Sequence, residues 1–125
     1  MIQNAKLSTV RDSAILTTSY VAGTVIDTEG IRNQLIIYAA LTLGSLTDAQ
    51  LKVEYSRDGS TYYQETFSST SSTTDTLSLG VHKMSASGNY RIALDVMDRY
   101  VKISAIGTGT TTGSLLAITA NVGEV

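Results

Sequence analysis

Residues 51–67, LKVEYSRDGSTYYQETF, constrain the fold more than any other stretch of the chain. Leu51, Val53 and Tyr55 alternate with Lys52, Glu54 and Ser56, the period of two that a half-buried strand requires. Arg57-Asp58-Gly59 then interrupts the run. Asp suits the right-handed positions of a type I turn, and Gly takes the left-handed position that closes a bulged hairpin. Tyr62, Tyr63 and Phe67 are expected to carry the return strand. The segment is a β-hairpin, and it contains no chemistry.

The rest of the chain repeats the pattern. Ser13 to Tyr20 reads as a first short strand, and Val21 to Arg32 as a strand fragment and turn. Asn33 to Leu43 (NQLIIYAALTL) is apolar on both faces, as in a central strand covered on two sides or lying at an interface. Leu35, Ile37, Ala39 and Leu41 form one of these faces, opposite Ile36, Tyr38 and Ala40, and are assigned as a subunit-interface stripe. Ser68 to Asp75 is hydroxyl-rich and reads as an exposed loop, with a short strand at Thr76 to Leu79. Asn89 to Val96, Tyr100 to Ile106 and Ser114 to Val122 alternate cleanly, separated by a corner at Met97-Asp98-Arg99 and a Gly/Thr loop at 107–113. About eight short strands with turn signals between them define an all-β, antiparallel sandwich of jelly-roll type. Residues 1–12 lack clear periodicity and are expected to form an N-terminal arm, with residues 13–125 as a single β-sandwich domain.

Composition narrows the function classes. The net charge is −2, with no basic cluster to neutralise phosphates, so no nucleic-acid partner is expected. Ser and Thr together make up 33 of 125 residues, so the polar surface is built from hydroxyls rather than charges. Cys is absent, so stability is expected from packing or assembly. The start, MIQNAKLSTVRDS, has no apolar core of a signal peptide, and no run is long enough for a spanning helix. Synthesis in a cytoplasm and no membrane partner are the expectations. Proline is also absent, so no edge strand is protected by it.

Residue types that could carry chemistry fail on context. Gly107, Gly109 and Gly113 precede a strand rather than the helix a phosphate loop needs. His82 is the single histidine and reads as a surface loop residue. Asp95 and Asp98 flank a corner beside Arg99, too few oxygens for calcium. Glu54 and Glu65 are expected on the solvent face of the hairpin, beside Lys52 and Arg57, rather than facing each other across a cleft. No enzyme activity, cofactor or metal is expected. Tyr55, Tyr62 and Tyr63 cluster at the hairpin mouth, and the alternative to core-edge packing there is a sugar-stacking platform.

Val53-Glu54-Tyr55-Ser56-Arg57-Asp58-Gly59-Ser60-Thr61-Tyr62-Tyr63 resembles the V-x-Y-S-x-D-G-x-x-W/Y hairpin of jelly-roll and fibronectin-like modules. The Asp-box of sialidases is close, but there one residue separates Asp from Gly, whereas Asp58 and Gly59 are adjacent. Together with Gly88 to Ile92, Asp98 to Ser104 and Gly107 to Ser114, the hairpin resembles small structural proteins of tailed bacteriophages over residues 50–122. The resemblance implies a virion location at the capsid surface and a role as a capsid decoration (cementing) protein. It also implies the major capsid protein as partner, and self-association as a homotrimer. In such proteins an arm grips the shell, which would assign Ile2, Lys6, Leu7, Val10 and Arg11 as capsid contacts. The alternatives are a head-fibre or tail-associated virion protein, or a carbohydrate-binding module using the tyrosines.

Overall fold

A computed structural model describes residues 3–29 and 33–124, and among them there is no helix. The strands are β1 (Gln3–Ala14), β2 (Val21–Ala22), β3 (Ile26–Asp27), β4 (Asn33–Thr42), β5 (Leu46–Ser56), β6 (Tyr63–Gln64), β7 (Thr66–Ser71), β8 (Thr74–Leu79), β9 (His82–Met84), β10 (Gly88–Val96), β11 (Tyr100–Gly109) and β12 (Leu115–Glu124). One sheet has the order β1-β12-β4-β10. In the other, β11 and β5 pair at the centre; β2 and β3 share the outer edge of β11, and β6 and β9 share the outer edge of β5. Every pairing is antiparallel.

Because β2 and β3 lie end to end on β11, they count as one broken course. The same holds for β6 and β9 on β5. The β7–β8 ribbon is a separate excursion, which leaves eight courses. Numbered along the chain, the sheets read 1-8-3-6 and 2-7-4-5. Courses 1 to 4 pair successively with 8 to 5, so the chain is one long antiparallel hairpin rolled into two layers. This is the jelly roll expected from the alternating runs.

The inner faces interdigitate as a single core. Leu35, Ile37, Ala39 and Leu41 of β4 meet Leu51 and Val53 of β5 and Val101, Ile103 and Ala105 of β11. Leu116, Ile118 and Ala120 of β12 complete it. These residues are almost wholly removed from water, and their burial is the main stabilising term for a chain without disulfides.

Several expectations are corrected. Residues 3–12 belong to β1, a full edge strand paired with β12, and are not a separate arm. Three register breaks interrupt β1, which scrambles its alternation of polar and apolar residues. Ser13 to Tyr20 is therefore the end of β1 and a connection, not a first strand. β5 begins at Leu46, so only Leu43 to Ser45 connect it to β4. The expected loop at 68–75 lies in the β7–β8 hairpin, whose strands are exposed along their whole length. Phe67 therefore leaves the sandwich with β7 instead of continuing beside β5.

Candidate functional site

The turn after β5 is held by its own side chains. Asp58 Oδ1 accepts hydrogen bonds from the amides of Ser60 (2.8 Å) and Thr61 (3.0 Å) and from the Ser56 hydroxyl (3.1 Å). These bonds, the Thr61 amide foremost, hold the Asp58 carboxyl below its ordinary range. Gly59 adopts φ +83°, the left-handed conformation expected for it, with the Tyr100 ring against the position of a Cβ. All partners are local, so this constellation serves the turn.

The two outer faces of the sandwich differ sharply. On the β5–β11 sheet, Glu54 lies between Lys52 (3.8 Å) and Lys102 (3.9 Å). The Lys52 ammonium sits 4.4 Å from the Tyr20 ring centre, and that of Lys102 4.1 Å from the Tyr62 ring centre. Charges and rings there satisfy one another at a wet surface. The face of the β1-β12-β4-β10 sheet is built differently. Register places Thr119, Tyr38 and Arg91 in one cross-strand row and Ala117, Ala40 and Asn89 in the next. The two alanines leave a shallow hollow of about 460 Å³ beside the Tyr38 ring, which is 40% exposed. Leu7 extends this surface, opposite Asn121 and 71% exposed. It is a broad, mostly uncharged surface with one aromatic knob and one hollow.

A third feature is the β7–β8 ribbon. Leu77 and Leu79 share a face with Thr66 and Ser68 and are 65% and 69% exposed. Phe67 points the other way, fills the space above Gly80 and meets the His82 ring edge-on. His82 Nε2 lies 2.7 Å from Glu65 Oε1, and the Tyr55 hydroxyl donates to Glu65 Oε2 at 3.4 Å. Burial, aided by the Glu65 charge, raises the Tyr55 hydroxyl well above its ordinary pKa. This clasp ties the ribbon to the body, and it places His82 in a strand rather than the loop expected for it. Glu65 is likewise not beside Lys52 and Arg57, whereas Glu54 does face Lys52.

The residues singled out from the sequence are scattered. Ile2 lies outside the described residues. Lys6 and Leu7 are exposed, but Val10 is core, and Arg11 is a brace donating to the carbonyls of Leu116, Ala14 and Ile15. The stripe assigned to a subunit interface is corrected outright: Leu35, Ile37, Ala39 and Leu41 face the inter-sheet core. The outer face of β4 is instead Ile36, Tyr38 and Ala40. Nor is there a three-tyrosine platform. Tyr62 turns to the outer face with Lys102, while Tyr55 packs inward on the core with Tyr63 beside it at the sheet edge. The signal for the hollow, Ala40 and Ala117 at alternating outer positions, becomes visible only once the strands are paired. Among the described residues, no group of three or more His, Asp or Glu side chains is placed to hold a metal ion.

No protein-family model and no curated protein matches the chain. The fold is shared with PBSX exported protein XepA, at a TM-score of 0.65 and 10% identity. That match covers 96% of this chain but only 37% of XepA, so the chain spans little more than a third of its length. A structure of infectious bursal disease virus, Gx strain, is matched at a TM-score of 0.49 and 5% identity, over 98% of this chain and 33% of that one. At such identities the likeness to XepA defines the architecture and nothing finer: a jelly-roll β-sandwich.

Proposed function

We propose that this chain is a non-enzymatic structural protein of a phage particle, a decoration protein that docks on the major capsid protein at the outer surface of the head. The observation that carries the reading is the contrast between the two outer faces. A free-standing sandwich keeps charges on both, as the Lys52-Glu54-Lys102 face does. The opposite sheet instead offers Tyr38, Ala40, Ala117 and Leu7 with Arg91 at the rim of the hollow, the composition of an interface core, in which aromatics and Arg are enriched and other charges depleted. Support also comes from the resemblance of residues 50–122 to small phage structural proteins, and from the fold shared with XepA, which is by name an exported protein of PBSX. In this reading Tyr38 is the anchor and the Ala40/Ala117 hollow receives a side chain from the shell. Binding through so few charges is weakly dependent on salt.

Co-sedimentation with undecorated heads tests the proposal. Ala40→Arg fills the hollow and brings a charge onto the face, and is expected to abolish binding. Gln50→Arg, on the opposite sheet, is expected to leave it intact. Equal binding by both variants, or no binding by the parent chain, would overturn the assignment.

A further inference from the structure

The sandwich has four edges, and three are blunted. The β2/β3 course consists of two pieces of two residues each, and the β6/β9 course is split by the β7–β8 excursion. β1 is broken in register at three points. Short pieces and bulges are the usual guards against edge-to-edge pairing. β10 has neither: it runs nine residues in unbroken register with β4. Among the described residues, no backbone bond from a loop or turn reaches Gly88–Val96. Its inward side chains Tyr90, Ile92 and Leu94 are only half-buried although they pack on the core. Among the described residues the long edge is thus open in its backbone and incompletely covered in its apolar face.

The order of residues along β10 says what would cover it. We infer that β10 pairs antiparallel with β10 of a second copy of this chain, about a two-fold axis through Ala93. In that register Arg91 faces Asp95 of the other copy, and Asp95 faces its Arg91. Ile92 faces Leu94, Tyr90 faces Val96, and Ala93 faces itself. Arg91 and Asp95 are the only charged side chains of the strand, so a single register pairs both. Sliding by two residues either way sets each charge opposite a neutral residue. Asp95 already takes part in an interaction within its own chain, and a carboxylate has acceptor capacity for a further donor. The product is an isologous contact in which two four-stranded sheets become one of eight strands. It involves a different element from the stripe at Leu35–Leu41 and does not depend on the virion reading, since association is measured first on the free chain and only then in the presence of heads.

Sedimentation of the full chain from micromolar to millimolar concentration, with melting temperature as a check on folding, tests the pairing. The parent chain is expected to dimerise. Arg91→Asp and Asp95→Arg each place like charges opposite one another in both symmetric pairs and are expected to weaken association about tenfold. Combining them restores opposite charges, and association returns to the parent level. Within one strand the two positions lie about 13 Å apart, so coupling inside a single chain does not mimic that rescue. In a chain without Cys, Ala93→Cys supplies a reporter on the axis, expected to form a disulfide dimer faster than Gln50→Cys on the far sheet. A parent chain that is monomeric throughout, a double variant that associates no better than the single ones, or equal rates of cross-linking would each overturn the inference. Cross-linking of the Ala93→Cys variant to a shell protein instead of to a second copy would also overturn it, assigning the edge to a strand of the shell.

Discussion

Truncating Ile37 and Tyr38 separately tests which face of β4 is the core. The two are neighbours, so the pleat sends them to opposite sides of one strand. Ile37 has no exposed surface and lies in register between Ala120 and Ile92, with the second sheet above it. The paired backbones on both sides keep the site from collapsing, so Ile37→Ala loses the transfer energy of the removed carbons and leaves a cavity. The expected cost is about 3 kcal/mol, equivalent to about 10 °C in melting temperature for a domain of this size. Tyr38 is already 40% exposed on the outer sheet face, and Tyr38→Ala should cost about 1 kcal/mol or less. Guanidinium unfolding can be followed by tyrosine fluorescence, since the chain has seven Tyr and no Trp. A larger loss for Tyr38→Ala than for Ile37→Ala would mean that the faces are exchanged, and the docking surface would go with them.

Three further outcomes follow from the same geometry. Gly59→Val should cost about 1–2 kcal/mol, from a branched side chain at positive φ, with the Tyr100 ring adding crowding; a variant that melts with the parent would contradict that turn. Deleting residues 1–12 removes most of β1, including buried Val10, so circular dichroism should show loss of the cooperative melt rather than an intact core. The carboxyls of Asp27, bonded by Arg99, and Asp58, bonded by the Thr61 amide, are held below their ordinary range. The stability they contribute is present above the unfolded-state carboxylate pKa and is lost as pH falls through the depressed folded values. The double variant Asp27→Asn, Asp58→Asn should therefore flatten the acid limb of melting temperature against pH, and an unchanged limb would refute it.

The regular strands were legible because burial on one face writes a period of two. Asn89 to Val96 was bounded within one residue of β10, and the left-handed Gly59 was marked by its neighbour Asp58. β1 was illegible because its register breaks reverse which residues face inward, so Val10 is buried beside an exposed Thr9 without a repeating pattern. Of the β7–β8 ribbon, Thr76 to Leu79 was legible as a strand, but β7 was read as loop because, carrying no buried residue, it has no alternation to read. β4 defeats sequence reading in another way. Both its faces are apolar, and only the position of the second sheet decides that Ile37 is core while Tyr38 is surface. The hollow draws on Ala40 and Ala117, residues far apart in sequence whose adjacency is created by the rolled topology.

Quantitative mass spectrometry of purified particles made by the genome that encodes this chain tests the central claim most directly. The account predicts the chain in mature heads at a copy number in fixed proportion to the major capsid protein, with Ala40→Arg particles losing it. Particles that lack the chain, or that carry it in the same amount with Ala40→Arg, would contradict a docking role for this face.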